Sequence, residues 1–193
     1  MTKNIMIVGV GGQGSLLASK LLGNVLLDCG YSVKLSEVHG MSQRGGSVVT
    51  YVKYGDKVYS PIIDKGEADF IISFEALEAA RWMSYLKKDG VIVSNKQQIY
   101  PMPVIIGAKQ YPKGIVDKIN SKVNAICIDA LLLAKKAGNA KAVNTVLMGV
   151  LSTLMDISEE KWIQAINKTV PAKLLQVNLD AFRIGRGYKN ELC

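Results

Sequence analysis

Two short glycine-containing runs near the N-terminus most constrain what this chain can fold into. The first reads Gly-Val-Gly-Gly-Gln-Gly over residues 9–14 and follows an apolar run at 4–10. The second reads Glu-Val-His-Gly-Met-Ser-Gln-Arg-Gly-Gly over residues 37–46 and follows a strand-like segment at 32–36. Ligands of open α/β sheets bind beyond the carboxyl ends of the strands. The two runs therefore predict a site formed by two successive strand ends.

The order of the segments predicts the fold class. Strand-like and helix-like patterns alternate along the chain and give way to helices alone, which indicates an α/β doubly wound domain. We expect a mostly parallel sheet with a hairpin insertion and a helical C-terminal layer. One domain is predicted over 1–186, followed by a frayed tail at 187–193. The predicted strands are 4–10, 32–36, 48–52, 68–74, 91–94, 104–106 and 125–128, and a hairpin is predicted to pair 48–52 with 58–59. The predicted helices are 15–28, 75–88, 115–121, 131–137, 144–155, 158–168 and 172–183.

Composition argues against several classes of partner. The chain has 193 residues and a net charge of +8, but its basic residues are scattered and do not alternate with aromatics, so a solvated surface is favoured over a nucleic-acid groove. No apolar run approaches the ~20 residues of a membrane helix. The start of the chain lacks the features of a secretory signal. We expect a cytoplasmic protein with no membrane partner.

Metal binding by this chain alone is not expected. Its three cysteines, Cys29, Cys127 and Cys193, are far apart, and it has a single histidine. Zinc and iron–sulfur sites need closely spaced ligands. The spacing instead favours reduced thiols, with Cys29 and Cys127 in core positions. A stripe at helical spacing, formed by Met148, Leu151, Leu154 and Met155, predicts a core face or a surface that meets a partner.

The first run has three interpretations. Glycines let a backbone approach a ligand closely, and a helix N-terminus presents free N–H groups to anionic oxygen. The usual inference is a nicotinamide or flavin dinucleotide, but the acid expected after the second strand is not cleanly placed, because Glu37 lies a little too far along. A tight turn without ligand and a site for another anion are both favoured over a dinucleotide.

The second run predicts a ligand-binding loop. Its polar side chains Ser42, Gln43 and Arg44 lie between glycines, and an arginine can clamp a carboxylate or phosphate bidentately. The alternative is a structural loop in which Arg44 pairs with Glu37. His39 can be a proton carrier, although a donor that packs the loop is favoured.

We therefore expect one set of residues to face a ligand or a partner cleft, namely Gly11, Gly12, Gln13, Gly14, Glu37, His39, Gly40, Ser42, Gln43, Arg44, Gly45 and Gly46. No catalytic role is assigned to any of them, and Arg44 and His39 are the candidates for one.

The two runs at this separation resemble the gamma-type domain of the 2-oxoacid:ferredoxin oxidoreductases, and within that family its indolepyruvate branch. The resemblance extends from Asn4 to about Arg186 and includes the segment Ser-Phe-Glu-Ala-Leu-Glu-Ala at 73–79. It implies a subunit that is inactive alone. A large subunit would carry thiamine diphosphate, Mg²⁺ and [4Fe-4S] clusters, and ferredoxin and coenzyme A would be further partners.

The resemblance also implies a reaction. An arylpyruvate, coenzyme A and oxidised ferredoxin would give an arylacetyl-coenzyme A, CO₂ and reduced ferredoxin. Arg44 and the turn at 11–14 would then face the large subunit's cofactor or the coenzyme A phosphates. Two other functions stay open: a self-contained NAD- or flavin-binding protein, and a scaffold whose loops only hold the large subunit.

Overall fold

The computed structural model describes residues 2–40 and 45–188, and its centre is a six-stranded sheet. The strands are β1 (Lys3–Val10), β2 (Ser32–His39), β3 (Ser47–Gly55), β4 (Ala68–Ser73), β5 (Leu86–Asn95) and β6 (Asn124–Ile128). They lie in the order β2-β3-β1-β4-β5-β6. β1, β4, β5 and β6 are parallel, whereas β3 is antiparallel to both of its neighbours. The predicted doubly wound, mostly parallel sheet is confirmed.

Eight α-helices flank the sheet in the described part of the chain. They are α1 (Ser15–Asp28), α2 (Ala76–Trp82), α3 (Met102–Ile105), α4 (Ile115–Asn120), α5 (Ala130–Lys136), α6 (Val143–Ser152), α7 (Glu159–Thr169) and α8 (Leu175–Arg186). Short 3₁₀ turns lie at Met83–Tyr85, Ala140–Ala142 and Ala172–Leu174. The predicted helical C-terminal layer is confirmed as α5 to α8. None of the helices within residues 2–40 and 45–188 is long and apolar enough to cross a membrane.

The sheet separates two apolar cores, as the alternation of side chains along a buried strand requires. Ile5 and Ile7 of β1 belong to the core that contains α1, α6, α7 and α8. Met6 and Val8, which point to the opposite face, belong to the core that contains α2 and α4. Both faces of β1 are therefore covered, which explains its continuous apolar sequence.

The sheet contains a hairpin, but its predicted pairing of 48–52 with 58–59 is wrong, because β3 forms the hairpin with the preceding strand β2. β3 extends over Ser47–Gly55 and pairs with β1 on one side and β2 on the other, and Val58 and Tyr59 lie outside the sheet. Val58 is nevertheless buried, while Tyr59 is exposed. The β-forming pattern at 48–52 therefore predicted a strand correctly, but that strand pairs with β2, which precedes it, and with β1, and not with the residues that follow it.

The predicted strand at 104–106 is also wrong, because Met102–Ile105 form the short helix α3. Pro101 precedes the helix and Pro103 lies in its first turn, where a missing backbone N–H costs nothing. The two prolines therefore overrule the β-preference of Val104, Ile105 and Ile106.

The predicted helix at 75–88 ends early. α2 stops at Trp82, a 3₁₀ turn follows, and Leu86 already pairs with Ala68 at the start of β5. Gly90, two residues past the predicted end of this helix, lies inside β5 at an irregularity in its pairing with β4. A Cβ at position 90 would lie 2.9 Å from the Ala68 carbonyl oxygen, so glycine allows the two strands to approach.

The closest helix packing in the C-terminal layer joins α6 to α8. All ten residues of α6 are buried, including Met148 and Leu151 of the predicted stripe, which therefore belongs to the core. A Cβ at Gly149 would lie 2.2 Å from the Phe182 carbonyl oxygen, and one at Gly185 would lie 2.0 Å from the Val146 carbonyl oxygen. The two glycines let the helix backbones touch.

Gly149→Ala is expected to lower the free energy of unfolding by about 3 kcal/mol. The added methyl group overlaps backbone atoms that cannot rotate away, so α6 and α8 must separate and leave the core underpacked. Urea unfolding of the purified chain measures the change.

Gly23→Ala is the matched control. Gly23 lies within α1, and a Cβ there would meet nothing within 4 Å. Alanine is the better helix former by about 1 kcal/mol, so this variant is expected to be as stable as the parent chain or more stable. Equal destabilisation of both variants would contradict the close crossing.

Candidate functional site

The strand directions bring the functional loops to one edge of the sheet. β1, β2, β4, β5 and β6 all end at this edge, and β3 begins there, since Val10 pairs with Ser47 and His39 with Val48. We call it the carboxyl edge. The glycine-rich turn at 9–14 follows β1 here, and the second run leads from β2 into β3. Both runs therefore lie at the same edge, as predicted.

Backbone hydrogen bonds join the two runs directly. The Gly11 N–H donates to the Gly46 carbonyl oxygen at 2.8 Å, and the Gly45 N–H donates to the Gly11 carbonyl oxygen at 3.4 Å. These contacts continue the β1–β3 ladder past the ends of its strands. Glycines from both runs thus form one continuous surface.

The first run turns sharply because of its glycines. Gly12 and Gly14 have φ angles of +97° and +88°, a region that other residues adopt only with strain. Gly9 is needed for space, because a Cβ there would lie 3.0 Å from both Gln13 Oε1 and Phe74 Cβ. The turn packs directly against the end of β4.

Gln13 braces this turn. Its Oε1 accepts from the Val10 N–H at 2.8 Å, and its Nε2 donates to the Phe74 carbonyl oxygen at 3.0 Å. The sequence suggested a residue that faces a ligand or a partner. The structure shows that both ends of the amide are used within the chain, although the side chain also lines a cleft.

Asn95 extends the brace across the sheet. It is fully buried at the end of β5, where its Nδ2 donates to the Phe74 carbonyl oxygen at 3.3 Å and its Oδ1 accepts from the Ala130 N–H at 3.1 Å. Gln13 and Asn95 therefore tie the ends of β1, β4 and β5 to the start of α5. Sequence reasoning missed Asn95, and the available signal was a polar residue ending a buried strand.

The turn leads into an open helix end. Gly14 occupies the N-cap position of α1, no side chain among the described residues caps that end, and the first turn contains no acidic residue. An uncapped helix N-terminus carries partial positive charge and unpaired N–H groups. The 14-residue helix α1 can therefore bind an anionic group beside the glycine-rich turn.

A cleft of about 430 Å³ lies against this helix end. Its walls come from both runs and from α1, with Gly11, Gly12, Gly14, Ser15, Leu16, Glu37, His39 and Val48 as lining residues. Glu37 therefore lines the same cleft as the glycine-rich turn, although it lies farther along the sequence than the acid of a dinucleotide-binding motif. Its Oε2 accepts from Thr50 Oγ1 at 3.3 Å, and His39 is exposed, with Nδ1 3.2 Å from the Gly40 carbonyl oxygen.

A second cleft, of about 530 Å³, lies on the other side of the turn. Gly12, Gln13 and Gly14 face residues 139–144 and α8 across it. Asn144 Nδ2 lies 3.5 Å from the Gly14 carbonyl oxygen, and its Oδ1 accepts from the backbone N–H of Thr145. The Thr145 hydroxyl donates to Asn178 Oδ1 at 2.6 Å. The glycine-rich turn is thus a wall shared by two clefts.

Two buried acids at the start of α2, Glu75 at its N-cap position and Glu78 in its first turn, bind neighbouring segments. Glu78 accepts from Ser47 Oγ at 2.5 Å and from Arg81 Nε at 3.0 Å, and Ser47 directly follows the Gly45–Gly46 pair.

Glu75 Oε1 accepts from the Tyr111 hydroxyl and from the Ile99 N–H. Burial of the phenol, helped by this bond, raises the pKa of Tyr111, so it stays a donor. Sequence reasoning missed this role of Glu75 and Glu78.

The central side chains of the second run, Ser42, Gln43 and Arg44, lie outside the described residues, and so does the proposed Arg44–Glu37 pair. Their predicted roles stay predictions. Among residues 2–40 and 45–188, no three His, Cys, Asp or Glu side chains are grouped so that they could hold a metal ion. Cys127 is buried and Cys29 is half-buried.

Gln13→Ala is expected to lower the free energy of unfolding by about 2 kcal/mol, because it removes two hydrogen bonds and leaves the Val10 N–H unpaired at the turn. Gln98→Ala, at an exposed glutamine of the same edge, is expected to change stability by less than about 0.5 kcal/mol. Urea unfolding compares them. A Gln13→Ala chain as stable as Gln98→Ala would show that the brace contributes nothing.

Comparisons with known proteins identify the family. The family model for pyruvate ferredoxin/flavodoxin oxidoreductase matches residues 4–188. The indolepyruvate oxidoreductase subunit IorB of Thermococcus kodakarensis is 45% identical over 190 residues, which cover 94% of this chain and 93% of the relative. The IorB subunit of Archaeoglobus fulgidus is 37% identical over 96% of this chain and 94% of its own.

Solved structures share the fold. The gamma subunit of a keto/oxoacid ferredoxin oxidoreductase from Geobacter sulfurreducens superposes with a TM-score of 0.71 at 22% identity, covering 95% of both chains. A 2-oxoglutarate:ferredoxin oxidoreductase from Magnetococcus marinus, solved with 2-oxoglutarate, coenzyme A and succinyl-CoA bound, gives 0.74 at 19% identity over 98% of this chain and 32% of its own. The chain therefore belongs to the pyruvate ferredoxin/flavodoxin oxidoreductase family, as a subunit of an enzyme that oxidises 2-oxoacids.

Proposed function

We propose that this chain is the small subunit of a cytoplasmic indolepyruvate:ferredoxin oxidoreductase. The 2-oxoacid loses CO₂, its acyl carbon forms a thioester bond with the coenzyme A sulfur, and two electrons pass to ferredoxin with release of one proton. The substrate class rests on the IorB relatives, which match nearly end to end.

The proposal assigns thiamine diphosphate, Mg²⁺ and the [4Fe-4S] clusters to a large subunit. The described residues of this chain offer no side-chain group that fits a metal, so the steps that depend on those groups belong to the partner. When bound to the large subunit, they supply the decarboxylation and the path for the electrons. The role left for this chain is to bind and orient the acyl acceptor.

One observation supports the proposal that this chain binds coenzyme A. The open N-terminus of α1 lies beside glycines from both runs and adjoins two clefts. Coenzyme A carries a diphosphate and a further phosphate, which suit such a helix end. The Magnetococcus marinus structure, solved with coenzyme A bound, supports coenzyme A as a ligand of the assembled enzyme.

We propose that polar groups in the smaller cleft orient the bound coenzyme A. Ser15 is the first residue of α1 and lies on the helix side, whereas Glu37 lines the same cleft from the end of β2. A carboxylate repels a phosphate but accepts hydrogen bonds from hydroxyl groups. Phosphate is therefore expected at the turn and Ser15, with any hydroxyl-bearing part toward Glu37. Arg44 is proposed to face the phosphates or the large subunit's cofactor.

Co-expression with the large subunit tests the function. We expect anaerobic reduction of ferredoxin by indolepyruvate that requires coenzyme A and both chains. Assaying pyruvate, 2-oxoisovalerate and 2-oxoglutarate in parallel ranks the substrates. An assembled complex that reduces ferredoxin only with a non-aromatic 2-oxoacid would contradict the proposed substrate class.

Ser15→Asp tests the anion site. The new carboxylate occupies the helix end and repels phosphate, so KM for coenzyme A is expected to rise about tenfold. The same carboxylate interacts favourably with the helix dipole, so the chain is expected to gain about 0.5 kcal/mol of stability. The isosteric Ser15→Asn variant is the control and should leave KM for coenzyme A within about threefold. Equal KM values for the two variants would contradict anion binding at this helix end.

A dinucleotide-binding protein is the second candidate, and the position of Glu37 favours it. This acid, which lies late in the sequence for the role, lines the cleft beside the glycine-rich turn, where it could accept bonds from ribose hydroxyls. The absorbance spectrum of the purified chain distinguishes the two candidates, since bound flavin absorbs in the visible range and bound NAD raises the nucleotide band.

A further inference from the structure

A short segment beyond β5 exposes apolar side chains that the chain does not cover. We call residues 100–106 the apolar hook. Within it, Tyr100 is 54% exposed, Met102 65%, Ile105 63% and Ile106 68%. Isolated exposed apolar residues are ordinary, whereas several in one short segment mark an interaction surface.

The hook is held in shape without burying these side chains. Backbone bonds from Val104, Ile105 and Ile106 close the short helix α3. The Tyr100 ring packs on Tyr111 with 5.2 Å between centroids. Just before the hook, the Ile99 N–H donates to the buried carboxylate of Glu75 at 3.1 Å. A surface fixed in advance loses little conformational entropy when a partner binds.

The hook lies beside the candidate site. A small cleft lined by Val10, Gly45 and Ser47 is closed on its other side by Ile99 and Pro101. Ile99 also lines the larger cleft next to the glycine-rich turn. A protein that covered the hook would therefore also face the site.

Exposed apolar residues are concentrated at this edge. Of the eleven large ones among the described residues, seven lie at the end of a strand that ends at the carboxyl edge or within eleven residues after it: Leu16, Val38, Tyr100, Met102, Ile105, Ile106 and Leu132. By contrast, Tyr59 and Ile62 lie in the connection from β3 to β4, which runs along the opposite edge.

The exposed charges in the segment that contains the hook are of one sign, whereas the neighbouring Glu75 and Glu78 are buried. No acidic residue occurs between Gly90 and Val116, and the exposed Lys96, Lys109 and Lys113 flank the apolar side chains. This pattern fits a partner with an apolar centre and an acidic rim. It does not favour a second copy of the same basic surface.

We propose that the apolar hook is the docking surface for the large subunit of this enzyme, through an apolar patch with an acidic rim. The inference rests on the proposed function, since it assumes that the large subunit carries the reacting groups. Docking there places the partner's surface over the clefts at the glycine-rich turn and completes a site that this chain forms only in part.

Ile106→Asp tests the apolar contact. The variant is expected to fold like the parent chain, because the side chain is exposed, and to raise the Kd for the purified large subunit at least tenfold. Ile62→Asp, with a side chain 55% exposed at the opposite edge, is the matched control and should leave the Kd unchanged. Sedimentation of the mixed chains measures assembly without reference to activity.

Lys109→Glu tests the charge pattern. It is expected to raise the Kd several-fold at low salt and to lose this effect at high salt, because the contact is at an exposed rim. Lys122→Glu, at an exposed lysine beyond α4, is the control and should bind like the parent chain.

Assembly of Ile106→Asp with unchanged Kd would overturn the inference, and so would equal losses in Ile106→Asp and Ile62→Asp. A parent chain that is dimeric by itself and becomes monomeric through Ile106→Asp, with large-subunit binding intact, would assign the hook to a second copy instead. A parental complex that assembles but does not reduce ferredoxin would contradict the proposed function and leave the docking surface standing.

Discussion

The insertion of β3 between β1 and β2 sets the geometry of the candidate site. Because β3 runs antiparallel to both neighbours, it begins where they end. Its first residue, Ser47, therefore lies opposite Val10, and the preceding Gly45 and Gly46 bond to Gly11. With β1 and β2 directly adjacent, this ladder would not exist, and the second glycine pair would have no fixed relation to the first.

Polar groups that pair below its surface brace the carboxyl edge. Gln13 and Asn95 meet at the Phe74 carbonyl oxygen, and Glu78 holds Ser47. These bonds are partly or fully shielded from water, where leaving a partner unpaired is costly. The same network fixes Ile99 through Glu75 and so determines where the hook begins. Site and proposed docking surface thus share one support.

Local patterns predicted the parts of the fold that local forces decide. The apolar run of β1 and the 3.6-residue periodicity of α1 are visible in the sequence, and so is the glycine-rich turn between them. The helices of the C-terminal layer were predicted within a few residues for the same reason. By contrast, the pattern at 48–52 does not specify the partners of β3, which are the preceding strand β2 on one side and the more distant β1 on the other.

The candidate site was predictable in position but only partly in role. The sequence placed both glycine runs at one sheet edge, and the structure joins them. It could not show that the Gln13 amide is used within the chain, because its acceptor Phe74 lies 61 residues away. For Asn95 the available signal was its place at the end of a buried strand, whereas Glu75 and Glu78 are recognised as supports only by the partners that the fold brings to them. At 101–106, the prolines outweighed the β-forming residues.

Hydrogen–deuterium exchange of the assembled two-subunit enzyme, with and without coenzyme A, would show whether coenzyme A binds at the glycine-rich turn. We expect coenzyme A to slow exchange of the backbone N–H groups at residues 12–17, where the glycine-rich turn enters α1. Exchange in the connection at 56–67, on the opposite edge, should stay unchanged. Coenzyme A that binds the enzyme without slowing exchange at residues 12–17 would contradict the account.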